Sequence, residues 1–266
     1  MKVLSNLMNK QFIVFTMGMV LICIASDLSA NKGLEIAILS DKNNDGFIDS
    51  SSTMTMNLIN KRGDVVTRKL RFKSLEVPTD GDKSIAIFES PRDVKGVAIL
   101  SYAHKVEADD QWLYLPALKR VKRIASKNKS GPFLGSEFSF EDFSFQEVEK
   151  YEYLYLEEEI YLNNPCYVIE RKPLDPYSGY TKQLVWIDKE NYLVQKIHHF
   201  DRKSFHLKTQ LFKDYRKYEG FFWQPHEIEM INHQNGKKSI LIFDDVKLKN
   251  GFTDRDFSQN SLKRSR

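Results

Sequence analysis

Residues 53–73 read TMTMNLINKRGDVVTRKLRFK, and this stretch decides the fold class. Successive side chains of a strand point to opposite sides, so Met54, Met56 and Leu58 share one face of 53–60. Lys61-Arg62-Gly63-Asp64 is a turn signal with glycine at its centre. The return segment 65–73 puts Leu70 and Phe72 on one face and Lys69, Arg71 and Lys73 on the other. Two amphipathic extended runs across a short turn make a β-hairpin.

The same grammar continues outward. Segments 84–89, 96–102, 111–115, 151–156, 166–171, 182–187, 192–200, 205–215, 221–231 and 239–248 all have strand character. Turn signals at 163–165, 175–179, 188–191, 219–220 and 235–236 separate those of the second half. Short strands at regular spacing predict a barrel or sandwich, and the absence of strand–helix alternation argues against a doubly wound fold. One short helix is expected at 33–41, with Leu34, Ala37 and Ile38 on one side. No linker rich in Pro, Gly or Ser divides the chain, so 31–266 reads as one mainly β domain.

The composition bounds the function. With 41% apolar and 29% charged residues among 266, and only 12 Gly and 8 Pro, the chain is neither disordered nor fibrous. A net charge of +4 is too small to argue for nucleic-acid binding. Two cysteines exclude a disulfide scaffold and a cysteine-based zinc cluster. Cys23 lies in the leader described next, which leaves Cys166 alone, as a small buried hydrophobe.

Residues 1–30 belong to another class. Lys2 and Lys10 precede an apolar run at 12–25, and small residues follow up to Ala30. A positive start, a short apolar core and a small-residue exit predict a secretory signal peptide cleaved after Ala30. The run falls short of the roughly 20 residues that span a bilayer as a helix.

One stretch breaks the strand pattern. Residues 127–145 (KNKSGPFLGSEFSFEDFSF) are rich in Gly and Ser, yet carry Phe133, Leu134, Phe138, Phe140 and Phe143. Aromatics in an irregular segment predict a lid or plug over an apolar surface, with Gly131, Pro132 and Gly135 as hinges; packing as core at the barrel end is the simpler reading.

Catalytic constellations are missing. The sequence has no GxSxG, HExxH, GxxxxGK[ST] or GxGxxG, and an enzyme is not expected. His198 and His199, as strand neighbours, point to opposite faces and cannot share one ion, so neither a metal nor any other cofactor is expected. The side-chain oxygens of Asp41, Asn43 and Asp45, followed by Gly46, match the start of an EF-hand loop, but Ser52 stands where the bidentate glutamate belongs. The loop therefore reads as an Asx-rich turn. Lys119, Arg120, Lys122 and Arg123 open a basic run that suits a solvated face or docking to anionic headgroups or an acidic partner.

Several of these pieces resemble a known family. Gly46-Phe47-Ile48-Asp49-Ser50, the 54–63 run and Phe88-Glu89-Ser90-Pro91-Arg92-Asp93 resemble the LolA-like outer membrane lipoprotein-sorting family. So do Asp110-Gln111-Trp112-Leu113-Tyr114-Leu115-Pro116, with Arg123-Ile124 and Gly135-Ser136-Glu137-Phe138 after it, and Trp186-Ile187-Asp188 with Leu193-Val194. The resemblance spans about residues 45–248. It implies an unclosed antiparallel β-barrel with short helices or a lid over its open side, working in the periplasm. It implies lipid or lipoprotein acyl chains as cargo, an RND-type inner-membrane exporter as partner, and transient membrane contact. Arg68 and Arg71 are candidates for the arginine that the classical carrier keeps at its cavity mouth.

Physics points the same way. Each CH₂ kept in water costs roughly 0.8 kcal/mol, so a sixteen-carbon chain costs on the order of 12 kcal/mol and cannot cross an aqueous compartment unaided. A curved sheet lines a cavity with every second side chain. Met54, Met56, Leu58, Leu70, Phe72, Ile85, Ile87, Trp112 and Tyr114 are the candidate lining. The competing reading is a periplasmic adaptor or regulator that uses the same fold to bind protein, with no lipid cargo. A hollow interior favours the carrier and a filled one the adaptor.

Overall fold

The computed structural model describes residues 28–264. The expected hairpin is present as β1 (Asp49–Ile59) and β2 (Val65–Leu75), with Met54 opposite Leu70 and Ser52 opposite Phe72. From there β3 (Lys83–Ser90), β4 (Ala98–Tyr102), β5 (Asp110–Leu115) and β6 (Arg120–Arg123) step outward to one edge. The chain then crosses to the opposite edge, β7 (Tyr151–Tyr161). It returns through β8 (Asn164–Pro173), β9 (Tyr180–Asp188), β10 (Val194–Asp201), β11 (His206–Tyr218), β12 (Phe222–Asn232) and β13 (Lys238–Leu248). β13 pairs with β1, so the order is β6-β5-β4-β3-β2-β1-β13-β12-β11-β10-β9-β8-β7, antiparallel throughout.

The sheet curls into a barrel that does not close. Extra residues bend it, since a bulge increases local twist. The β1–β13 register slips between Ser51 and Thr53, and Asp214 and Asp245 take left-handed backbone with φ of 50° and 53°. The free edges β6 and β7 are consecutive in the chain, so residues 124–150 must span the gap between them.

The helix α1 (residues 28–41) starts five residues earlier than the sequence pattern suggests. Residues 28–30, which the sequence reading put in the leader, form its first turn; the rest of that leader lies outside the described residues. Ile36 and Ala37 bury against Ile169, Val185, Ile187 and Ile197. Gly33 permits the approach, because a Cβ there would come within 2.7 Å of the Tyr155 amide nitrogen on β7. Leu34 and Ile38 stay 40% and 41% exposed.

The crossing segment is a packed strap. Phe133 is completely buried and its ring lies 4.2 Å from Phe143, 5.5 Å from Phe140 and 5.8 Å from Phe88. With Phe138 it joins Met54, Met56, Leu70 and Leu241 in one cluster. Hydrogen bonds tie it to both wings of the sheet. Arg68 donates to the Leu134 carbonyl at 2.6 Å and Gln111 to the Phe140 carbonyl at 2.8 Å. On the far wing Ser178 and the Gly179 amide donate to Glu141 at 2.8 and 2.9 Å, and Asn232 donates to Glu137 at 2.7 Å.

The strap also carries a buried charge. Burial alone would raise the Asp142 carboxyl, but Lys208 at 3.6 Å and the Ser139 hydrogen bonds hold it below the usual carboxylate range. Removing one partner of such a pair strands the other. Phe133→Ala removes a fully enclosed ring from the cluster that joins the two wings, and is expected to cost about 3–5 kcal/mol. Urea unfolding measures it, with Phe205→Ala, a change at an exposed ring, expected to cost under about 0.5 kcal/mol.

Candidate functional site

Packing fills only part of the barrel. A cavity of about 1250 Å³ remains between α1, the concave sheet face and the strap. That exceeds the roughly 300–1,000 Å³ of ordinary small-molecule sites. Leu34, Ala37 and Ile38 supply the helix wall; Val185, Ile187, Ile197, Phe212, Ile228 and Phe243 supply much of the sheet wall; Phe138, Phe143 and Phe145 come from the strap.

The candidate lining residues divide three ways. Met54 and Phe72 line the cavity. Met56, Leu58 and Leu70 share their sheet face but lie in the packed end, in the cluster around Phe133. Ile85, Ile87, Trp112 and Tyr114 lie on the opposite face and correct the expectation. Register shows it: Ile87 stands opposite Arg71 and Ala98, and Trp112 opposite Leu100. Phe257 and Leu262, in the C-terminal turn Asp254–Phe257 and helix Gln259–Arg264, cover this outer patch. β3 is buried on both faces, so its apolar run could not reveal which face was inward.

The strap aromatics both plug and line. Phe133 is pure core, Leu134 and Phe140 pack against that core, and Phe138 and Phe143 join core to cavity wall. Deleting 131–145 would therefore strip the barrel of buried aromatics, so the segment is core as well as cover.

The six basic candidates do not line the cavity. Arg68 is half-buried under the strap, and burial lowers its pKa. Arg71 pairs with Glu89 at 2.6 Å. Lys119 precedes β6, while Arg120, Lys122 and Arg123 lie on it, exposed, with Arg123 paired to Asp110. The cations at the cavity are Lys42, Lys105 and Arg171 instead.

Carboxylates gather where the cavity meets solvent. Asp45 and Glu149 are exposed there, and Asp41, Asp82 and Glu147 are half-buried. Burial and then mutual repulsion push Asp41 and Asp82 up to about 6 and Glu147 up to about 7. The loop after α1 is closed by Glu76, which accepts from the Gly46 and Ile48 amides at 2.6 and 2.9 Å. Asp49 accepts from the Asn250 and Gly251 amides at 2.7 and 2.9 Å. Both carboxylates are thus spent on backbone amides, and Asn43 donates to the Asn191 carbonyl at 2.7 Å.

A polar ladder crosses the apolar wall. On β8 to β11, Arg171 donates Nε–H to Gln183 at 2.5 Å, Gln183 meets His199 at 3.0 Å, and His199 meets Gln210 at 3.2 Å. Burial drives His199 down to about 3, so its ring is neutral. Four polar residues facing a greasy hollow were not legible in the sequence, because each sits alone in its own strand.

The comparisons follow from this geometry. The crystal structure of an outer membrane lipoprotein-sorting protein domain from Vibrio parahaemolyticus is 49% identical, covers 88% of this chain and 100% of that one, and superposes with a TM-score of 0.87. The chain belongs to the LolA-like outer membrane lipoprotein-sorting family. A DUF1329 family protein from Desulfovibrio piger is 27% identical over 88% of this chain and 99% of that one (TM-score 0.83). A LolA superfamily protein from Nitrosomonas europaea shares the fold at 20% identity over 88% of this chain and 99% of that one (TM-score 0.71). A family model described as "Uncharacterized protein" matches residues 80–264, and no curated protein matches. The unclosed barrel of this LolA-like chain is thus a lipoprotein-sorting carrier fold.

The raised carboxyls give this LolA-like cavity mouth a pH dependence. Their protonated forms are favoured in the folded state, so their contribution is greatest below the unfolded value near 4 and is lost as pH rises through 6 and 7. Glu147→Gln is expected to raise the Tm at pH 8 and leave it unchanged at pH 4. Thermal unfolding at the two pH values checks this; an equal shift at both would contradict it.

Proposed function

We propose that the protein carries lipid or lipoprotein acyl chains through the periplasm, sheltered in the cavity between α1 and the sheet, and catalyses no reaction. The observation that carries this reading is the hollow itself. The 13-stranded sheet and its buried aromatic strap leave about 1250 Å³ open, with Leu34 and Ile38 exposed toward it. Exposed aliphatic side chains facing an apolar hollow cost free energy unless something apolar covers them. The relative described as a lipoprotein-sorting domain supports the same cargo class. On this reading 31–266 works as one domain after removal of the leader. An RND-type exporter as partner rests on the family resemblance alone.

Release needs a weak grip rather than an open door. The strap is bound at both wings, so the proposed movement is small: Phe138, Phe143 and Phe145 shift at the cavity wall while Phe133 stays fixed. Ile38 is the informative position, because it lines the cavity and is not core. Ile38→Asp is expected to keep the circular-dichroism spectrum and weaken binding of a fluorescent long-chain amphiphile at least about tenfold. Unaltered uptake would contradict the proposal, and no uptake by either protein would favour the adaptor.

A further inference from the structure

The ladder Arg171–Gln183–His199–Gln210 has a direction that chemistry fixes. An arginine Nε only donates, so Gln183 accepts from Arg171 with Oε1 at 2.5 Å. The amide nitrogen of Gln183 then faces His199 Nδ1 at 3.0 Å, and this ring nitrogen accepts. A neutral imidazole carries one N–H, here on Nε2, and that group donates to Gln210 Oε1 at 3.2 Å. Every internal link is filled. Both ends of the ladder present donors only: the Nη groups of Arg171 and the amide nitrogen of Gln210, which have no protein acceptor among the described residues.

The setting makes those ends informative. Arg171 is half-buried, lines the cavity and lies with its guanidinium 4.6 Å from the Tyr151 ring centre. Among the described residues no carboxylate forms an ion pair with it. The nearby Asp142 is spent on Lys208, Ser139 and Tyr180. Val185, Ile197 and Phe212 continue the same sheet face as apolar wall.

We infer that Arg171, backed by Gln183 and His199, is a head-group site that takes the acceptor oxygens of an anionic amphiphile, a carboxylate or phosphate, while the tail lies on the apolar wall. The inference rests on the carrier reading and sharpens it to a cargo class. A charged, partly desolvated guanidinium binds such oxygens more strongly than a neutral donor does. His199 and Gln183 are positioning residues, since they hold Arg171 without reaching the ligand.

Calorimetric titration of the purified protein with decanoate, 1-decanol, decyltrimethylammonium and acetate tests it. Decanoate is expected to bind at least about tenfold more tightly than 1-decanol, with the ammonium weaker still and acetate showing no saturable binding. Arg171→Met is expected to bring decanoate to the affinity of 1-decanol and leave 1-decanol unchanged. Gln183→Leu, which removes the acceptor of the Arg171 Nε–H and leaves Arg171 in place, is expected to shrink the ratio partly and serves if Arg171→Met does not fold. Equal binding of decanoate and 1-decanol by the native protein, or a preference that survives both substitutions, overturns the head-group site and leaves the carrier reading standing. Saturable acetate binding overturns the requirement for a tail. Binding of neither ten-carbon probe overturns both readings together.

Discussion

A sheet of 13 strands that does not close has two free edges, and in this chain the edges are sequence neighbours. Unpaired edge strands invite wrong partners, and an open seam exposes whatever the barrel holds. The covalent connection therefore does two jobs. Residues 124–150 span the seam, and their carbonyls and carboxylates are claimed by Arg68 and Gln111 on one wing and by Ser178, Tyr180 and Asn232 on the other. Those ties add to the β1–β13 pairing that joins the two wings.

The strap also sets the volume of the hollow. Phe133 and its ring neighbours fill the barrel near β1–β4, and Phe138, Phe143 and Phe145 mark where that packing gives way to the cavity. At the other end α1 sits on β8–β10 through Ile36 and Ala37 rather than collapsing onto the strap. Gly33 fixes how close the helix lies to β7. The hollow has a largely apolar wall and an acidic rim, and the polar ladder that starts at Arg171 crosses the wall. This combination suits an amphiphile held by its tail and oriented by its head.

Much of the fold was legible in the residues, and the reason is periodicity. The 53–73 hairpin and the run of strands after it follow from alternation and turn chemistry, which left barrel and sandwich open; the unclosed barrel followed from the family resemblance. The aromatic segment was recognisable because it broke that alternation, although its burial was not. β6 was missed because Arg120–Arg123 has a single apolar residue and is an exposed edge. The site was harder. Alternation assigns two faces but does not say which is concave, so Ile85, Ile87, Trp112 and Tyr114 were read onto the wrong side. Nothing local marks the outer patch as covered, since its cover, Phe257 and Leu262, comes from the far end of the chain. The polar ladder depends on register among four strands, and register is a tertiary fact.

The proposed function comes down to one claim: the barrel is hollow so that an acyl chain can occupy it. Native mass spectrometry of the protein, purified without detergent from its own cells, tests this most directly. The account predicts a complex heavier than the polypeptide by the mass of an amphiphile, which is shed on collisional activation. The bare polypeptide mass in that spectrum, together with no uptake when long-chain amphiphile is added back, would contradict it.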